Sequence, residues 1–174
     1  MNINTLTDLY RHMEWADAAV WSAVLAADNG QADAKLRDYL YHLHVVQRAF
    51  LRSWRNELSD TTFRTFDDAP SLMRWGRTFY AEALSYLGSL DDERVSQAMP
   101  VAWAARVEQR LGRKPETTTM GETLLQVALH TTYHRGQVNA RLRALGGEPP
   151  LTDYIAWVWF GRPAANWPAA ANGE

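Results

Sequence analysis

The stretch TMGETLLQVALHTTYHRGQVNARLRALGGEPP, residues 119–150, decides the fold class. Thr119 followed by Glu122 is a capping box, in which two side chains satisfy free amides at a helix start. From Gly121 to Leu145 the positions Leu124, Val127, Thr131, Val138, Leu142 and Leu145 fall on one stripe at about 100° per residue. Gly146-Gly147 stops the helix, and Pro149-Pro150 prevents a restart. A helix this long with a one-sided apolar stripe needs other helices to cover it.

Three more segments with the same period lie upstream: Thr5–Ala27, Asp33–Leu58 and Ser71–Leu90. Asp28-Asn29-Gly30 closes the first with turn residues, Asp33 is placed to cap the second, and Ser71, just after Pro70, to cap the third. Period-2 strands, internal repeats and low-complexity segments are absent. Four amphipathic helices predict an all-α protein built as a four-helix bundle. The Ser59–Pro70 link exceeds the roughly 2–8 residues usual between antiparallel neighbours, and has room for a crossover. The third connection, Asp91–Met120, is longer still, and local structure is expected around Val101–Leu111. The tail from Leu151 carries Tyr154, Ile155, Trp157, Val158, Trp159, Phe160 and Trp167, too apolar to float free. It is expected to pack as a short helix over one end of the bundle.

Composition narrows the function classes. With 174 residues, 47% hydrophobic and 22% charged, the chain reads as one folded domain, 1–174. A net charge of −2, without a basic, aromatic-interleaved stretch, argues against a nucleic-acid partner. The absence of cysteine excludes disulfides, thiolate ligands and a cysteine nucleophile. No run approaches the roughly 18 apolar residues that span a bilayer, so no membrane partner is expected. The start, Met1-Asn2-Ile3-Asn4-Thr5, lacks signal-peptide features, and a cytoplasmic location is expected.

The chemistry lies in the histidines. His130 and His134 are one helical turn apart, so both imidazoles can reach one ion. Thr131 stands where the HExxH motif has its general-base Glu, which argues against a metalloprotease. Both rings lie on one flank of the stripe, roughly 45° and 85° from its centre, together with Gln126, Gln137 and Arg141. On the second helix Leu36, Tyr39, Leu43, Val46, Phe50 and Trp54 form the expected core stripe, with Arg48, Arg52 and Arg55 on a solvated face. His42 lies roughly 85° from that stripe, beside small Ala49 and Ser53, and is the better third ligand. His44, roughly 115° away on the other flank, reads as a boundary residue hydrogen-bonded to a neighbouring helix. His12 reads as partly exposed, and Asp17 as an acceptor behind the ligands. Three neutral imidazoles suit zinc, nickel or ferrous iron, and leave a coordination position open where a water or thiol would be acidified.

The run from His130 to Arg143 (HTTYHRGQVNARLR), with Gly146-Gly147-Glu148-Pro149-Pro150 and Asp153, closely resembles the DinB family. Leu40-Tyr41-His42-Leu43-His44 with Gln47, Phe50 and Trp54, and Trp15-Ala16-Asp17, extend the likeness from about Leu6 to Trp167. The resemblance implies a four-helix bundle, often in up-down-down-up order, and a divalent metal held by three histidines near one end. Carried onto this chain these are His42, His130 and His134; His42 rests on its spacing to Gln47, and the neighbouring His44 leaves that register open. Some relatives use low-molecular-weight thiols such as mycothiol, bacillithiol or glutathione in transferase or isomerase reactions. The family name records induction by DNA damage, a stress response, rather than DNA chemistry.

The expected function is a metal-dependent S-transferase or hydrolase that activates a low-molecular-weight thiol or water against a small electrophile. Tyr133 and Gln137 would orient ligands; Arg135, Arg141 and Arg162 would meet a substrate carboxylate, or else serve as surface charges or a clamp on the tail. The alternative is a non-catalytic metal-binding stress-response protein with a structural or sensory site. A plain scaffold whose histidines satisfy core hydrogen bonds is the third reading. A homodimer through an apolar helix face is expected in either case.

Overall fold

The computed structural model describes residues 2–57, 64–101 and 103–169. Among these are seven helices: α1 (Ile3–Ala26), α2 (Ala34–Trp54), α3 (Ala69–Leu87), α4 (Asp92–Ser96), α5 (Ala104–Leu111), α6 (Met120–Ala144) and α7 (Tyr154–Trp159). The four long ones are those the periodicity predicts. Leu58, the expected end of the second helix, and Ser59 lie outside the described residues.

The caps explain the boundaries. Asp33 accepts the Leu36 amide at 2.8 Å. Thr119 and Glu122 form the reciprocal box, with bonds of 3.2 Å and 2.7 Å. At the far end of α6, Gly147 N–H donates to Leu142 and Gly146 N–H to Arg143, both at 3.0 Å, with Gly146 at φ 83°. That paired pattern is a Schellman stop, which a left-handed glycine allows. The third helix corrects the expectation. Asp68, not Ser71, is its cap, accepting the Ser71 amide at 2.7 Å. Pro70 therefore lies inside the first turn, where its missing N–H costs nothing.

Contacts fix the direction of each helix. Tyr10 donates to the Leu124 carbonyl and Arg135 pairs with Asp17, so α1 and α6 run parallel. Asp33 meets Arg141 while Trp54 meets Thr123, so α2 and α6 are antiparallel. Arg48 reaches Trp75 and Arg55 reaches Glu82, so α2 and α3 are parallel. The order is up-down-down-up, and Trp54 and Ala69 lie at opposite ends of the bundle.

The core has two apolar clusters. One holds Leu6, Tyr10, Trp54, Phe79 and Leu124; the other holds Trp21, Leu36, Met73, Val138 and Leu142. Between their levels on α1, α2 and α6 sits a buried polar layer of Asp17, His44, Gln47, Thr131 and Arg135, with Tyr80 of α3 bonded into it. This layer corrects the reading of α2. Its buried face is Leu36, Leu40, Leu43, His44, Gln47, Phe50, Leu51 and Trp54, while Tyr39 and Val46 are only half-buried. Nor is Arg48 simply solvated: its guanidinium stacks 4.8 Å from the Trp75 ring and donates to the Trp75 carbonyl at 2.6 Å.

Gly76 on α3 makes room for the polar layer. A Cβ there would fall 2.4 Å from His44 Nε2. The tail also departs from expectation. It wraps the flank of α1 at mid-height rather than capping one end: Thr152 meets His12, Trp157 is buried, and Trp167 donates to Glu14 at 3.2 Å. No described helix is long and apolar enough to cross a membrane.

Candidate metal centre

α2 supplies His42, and α6 supplies His130 and His134 from successive turns. One ring nitrogen from each lies within 4.8 Å of the others. His130 Nε2 and His134 Nε2 are 3.1 Å apart. Two imidazole nitrogens each about 2.1 Å from a tetrahedral ion sit about 3.4 Å from one another, so this pair is nearly at ligand spacing. The His42 ring centroid is 4.6 Å from that of His134 and 5.4 Å from that of His130. His42 is exposed and the other two are half-buried, so the cluster opens to solvent. Among the described residues no carboxylate joins it.

Protonation favours ligation. Burial, then the charges of His134 and His42, push the His130 pKa down to about 4. Burial and His134 also lower that of His42. Both rings keep a lone pair at neutral pH. His134 is oriented from behind: its Nδ1–H donates to Gln137 Oε1 at 2.8 Å, which leaves Nε2 as the lone pair facing the cluster. Gln137 in turn donates to the Tyr133 hydroxyl at 3.2 Å, and the Tyr133 ring stands edge-on to His134 at 5.1 Å. His130 Nδ1 is buried without a protein partner. The Nε2 contact of His130 and His134 needs one of the two to donate; were the cluster to hold a metal, both would offer lone pairs, and the His130 proton would sit on the unpartnered Nδ1. The donor set of three neutral nitrogens thus fits a borderline divalent ion.

Burial sets His44 apart from the cluster that His42 joins. His44, expected at the boundary, is 0% exposed. The Trp21 indole can only donate, and it bonds His44 Nε2 at 3.1 Å, so the proton is on Nδ1 and goes to Gln47 Oε1 at 2.8 Å. Both nitrogens are engaged, and His44 has none left for an ion. Its bond to a neighbouring helix is as expected; its depth is not.

The remaining candidates lie elsewhere. Asp17 accepts from Arg135 at 2.8 Å, from Tyr80, and from Gln47, rather than from the three clustered histidines. Arg135 is 3% exposed and committed to Asp17, so a role at a substrate carboxylate does not hold. Arg141 is paired with Asp33, at 3.1 Å and 2.5 Å through two nitrogens. Arg162 clamps the tail, contacting Asp8 at 3.5 Å and lying over the Trp157 ring. His12 is buried, not partly exposed, with Nε2 2.9 Å from the Thr152 carbonyl. Sequence reading missed Gln47 and Tyr80 as parts of the polar layer. The spacing of His44 to Gln47, three residues on one helix face, was the available signal.

No curated protein and no solved structure matches the chain significantly. A family profile does match, over residues 1–164, and with the bundle and the three converging histidines it places the chain in the DinB family.

Proposed function

We propose that the chain is a metal-dependent enzyme in which His42, His130 and His134 hold a divalent ion, zinc or nickel ahead of iron. It would activate a low-molecular-weight thiol or water toward a small electrophilic substrate. One observation carries the reading: three imidazoles converge beside solvent, His42 being exposed, with no fourth histidine or carboxylate in the cluster among the described residues. Structural zinc sites are closed by four protein ligands, whereas catalytic ones keep a position free. When bound, the ion acidifies a thiol or water at that position.

The chain's own residues supply orientation rather than acid–base chemistry. Gln137 fixes the His134 tautomer, and Tyr133, 64% exposed, stands at the mouth of the cluster where a substrate arrives. Thr131, in the place of a zincin's glutamate, is buried and bonded to Gln47 at 3.2 Å, so it does not serve as a base.

Cobalt(II) substitution tests the open position. Azide and a small thiol are each expected to shift the visible cobalt spectrum of the loaded protein, with a thiolate charge-transfer band for the thiol. A spectrum unchanged by either at saturating concentration would mean a closed site and a structural or sensory role.

A further inference from the structure

Two stretches before and after α5 are pinned together. Ala98 pairs with Thr119, Met99 N–H donates to the Thr118 carbonyl at 2.7 Å, and Met120 N–H to the Gln97 carbonyl at 2.8 Å. The segment that carries α5 thus leaves and rejoins the bundle at one clamped root. Yet no residue of α5 is buried, and Val107 and Leu111 on it are 38% and 55% exposed. Beneath it lies a cavity of about 750 Å³. Phe50 and Thr123 form its bundle side, and Met99, Val101, Trp103 and Val107 form its outer wall. Trp103 stands edge-on to Phe50 at 4.8 Å.

The volume and mainly apolar lining are those of a small-molecule site. Its position gives it a purpose. Gln126, on the cavity wall, precedes His130 by one turn of α6, about 6 Å along the axis. Phe50 of α2 and Gln126 of α6 thus put the cavity one level along these two helices from the histidine cluster. Val101 and Trp103 pack on the bundle, but α5 itself buries no residue, so its displacement loses few buried contacts.

We propose that this cavity receives the apolar body of the small molecule whose polar head reaches the three histidines, with α5, Ala104–Leu111, as its lid. The ligand class is a molecule with an alkyl or aryl portion and one metal-seeking group. This rests on the metal-dependent reading above.

The test uses cobalt-loaded protein titrated with ethanethiol, butanethiol and hexanethiol, followed by the thiolate-to-cobalt band. Affinity is expected to rise about fourfold per added methylene, the equivalent of about 0.8 kcal/mol. Val107→Glu, on the exposed helix, is expected to flatten the series; cobalt content is read on the same samples. In parallel, butanol, hexanol and octanol displace anilinonaphthalene sulfonate from metal-free protein, with a similar gain per methylene. A flat thiol series on loaded protein overturns the proposal, even where the alkanol series rises. Protein that takes up no metal but shows the alkanol gain supports the cavity and overturns the metal reading. Affinity that falls as protein concentration rises would put a second copy on α5 and overturn the proposal.

Discussion

Replacing Asp17 with alanine is expected to destabilise the fold by about 3–5 kcal/mol, because it leaves the Arg135 guanidinium charged and unpaired in the bundle interior. The side chains of Arg135 and Asp17 are 3% and 4% exposed, and their oxygen–nitrogen contact is 2.8 Å. The loss spreads beyond that pair. Asp17 also accepts from Tyr80 and Gln47, and Gln47 in turn accepts from His44 and reaches Thr131. One carboxylate thus joins groups on all four long helices. A typical domain has only about 5–15 kcal/mol in hand, so the variant would be marginal. Urea unfolding measures it, and a loss under about 1 kcal/mol would show that the layer contributes little. Replacing Asp17 and Arg135 together by leucine and methionine is expected to recover most of the loss, since neither charge is then stranded.

Zinc at a thousandfold excess over its dissociation constant is expected to raise unfolding stability by about 4 kcal/mol. For a chain of this size that is a rise in Tm of roughly 8–16 °C. Calorimetry with and without chelator measures it, and equal Tm values would contradict it. The metal-free protein should also lose stability in acid. Burial lowers the His44 pKa, so the folded state keeps the ring neutral where the unfolded chain takes up a proton near pH 6.5. The sign follows: His44's contribution is complete above pH 6.5 and is lost as pH falls toward the folded pKa, at up to about 1.4 kcal/mol per pH unit. His12 is shifted in the same direction, with burial the largest cause.

Local signals were legible in the sequence and long-range ones were not. The box at Thr119 and Glu122, the cap at Asp33 and the Gly146-Gly147 stop each act within a few residues, and each has the predicted geometry. The His130–His134 pair was readable for the same reason, being one helical turn. The face of α2 was not. Hydropathy put His44 at the boundary and gave Gln47 no place in the core, whereas their partners Trp21, Tyr80 and Asp17 come from other helices. A buried polar layer satisfied across helices leaves no period in any one of them. Arg135 and Arg48 misled in the same way, since a guanidinium reads as surface until its partner on a distant segment is known. The tail was recognised as apolar, but its course along α1 depends on His12, Glu14 and Tyr80, which no local pattern links to it.

The central claim is that His42, His130 and His134 form one metal site while His44 does not belong to it. Equilibrium dialysis against zinc at neutral pH, followed by elemental analysis, tests it on the unaltered chain and on His42→Ala, His44→Ala and His134→Ala. One zinc per chain is expected for the unaltered protein, with near-complete loss in His42→Ala and His134→Ala. His44→Ala should keep zinc if it folds, and its circular dichroism reports that. Zinc retained by His42→Ala and His134→Ala, or absent from the unaltered chain, would contradict it.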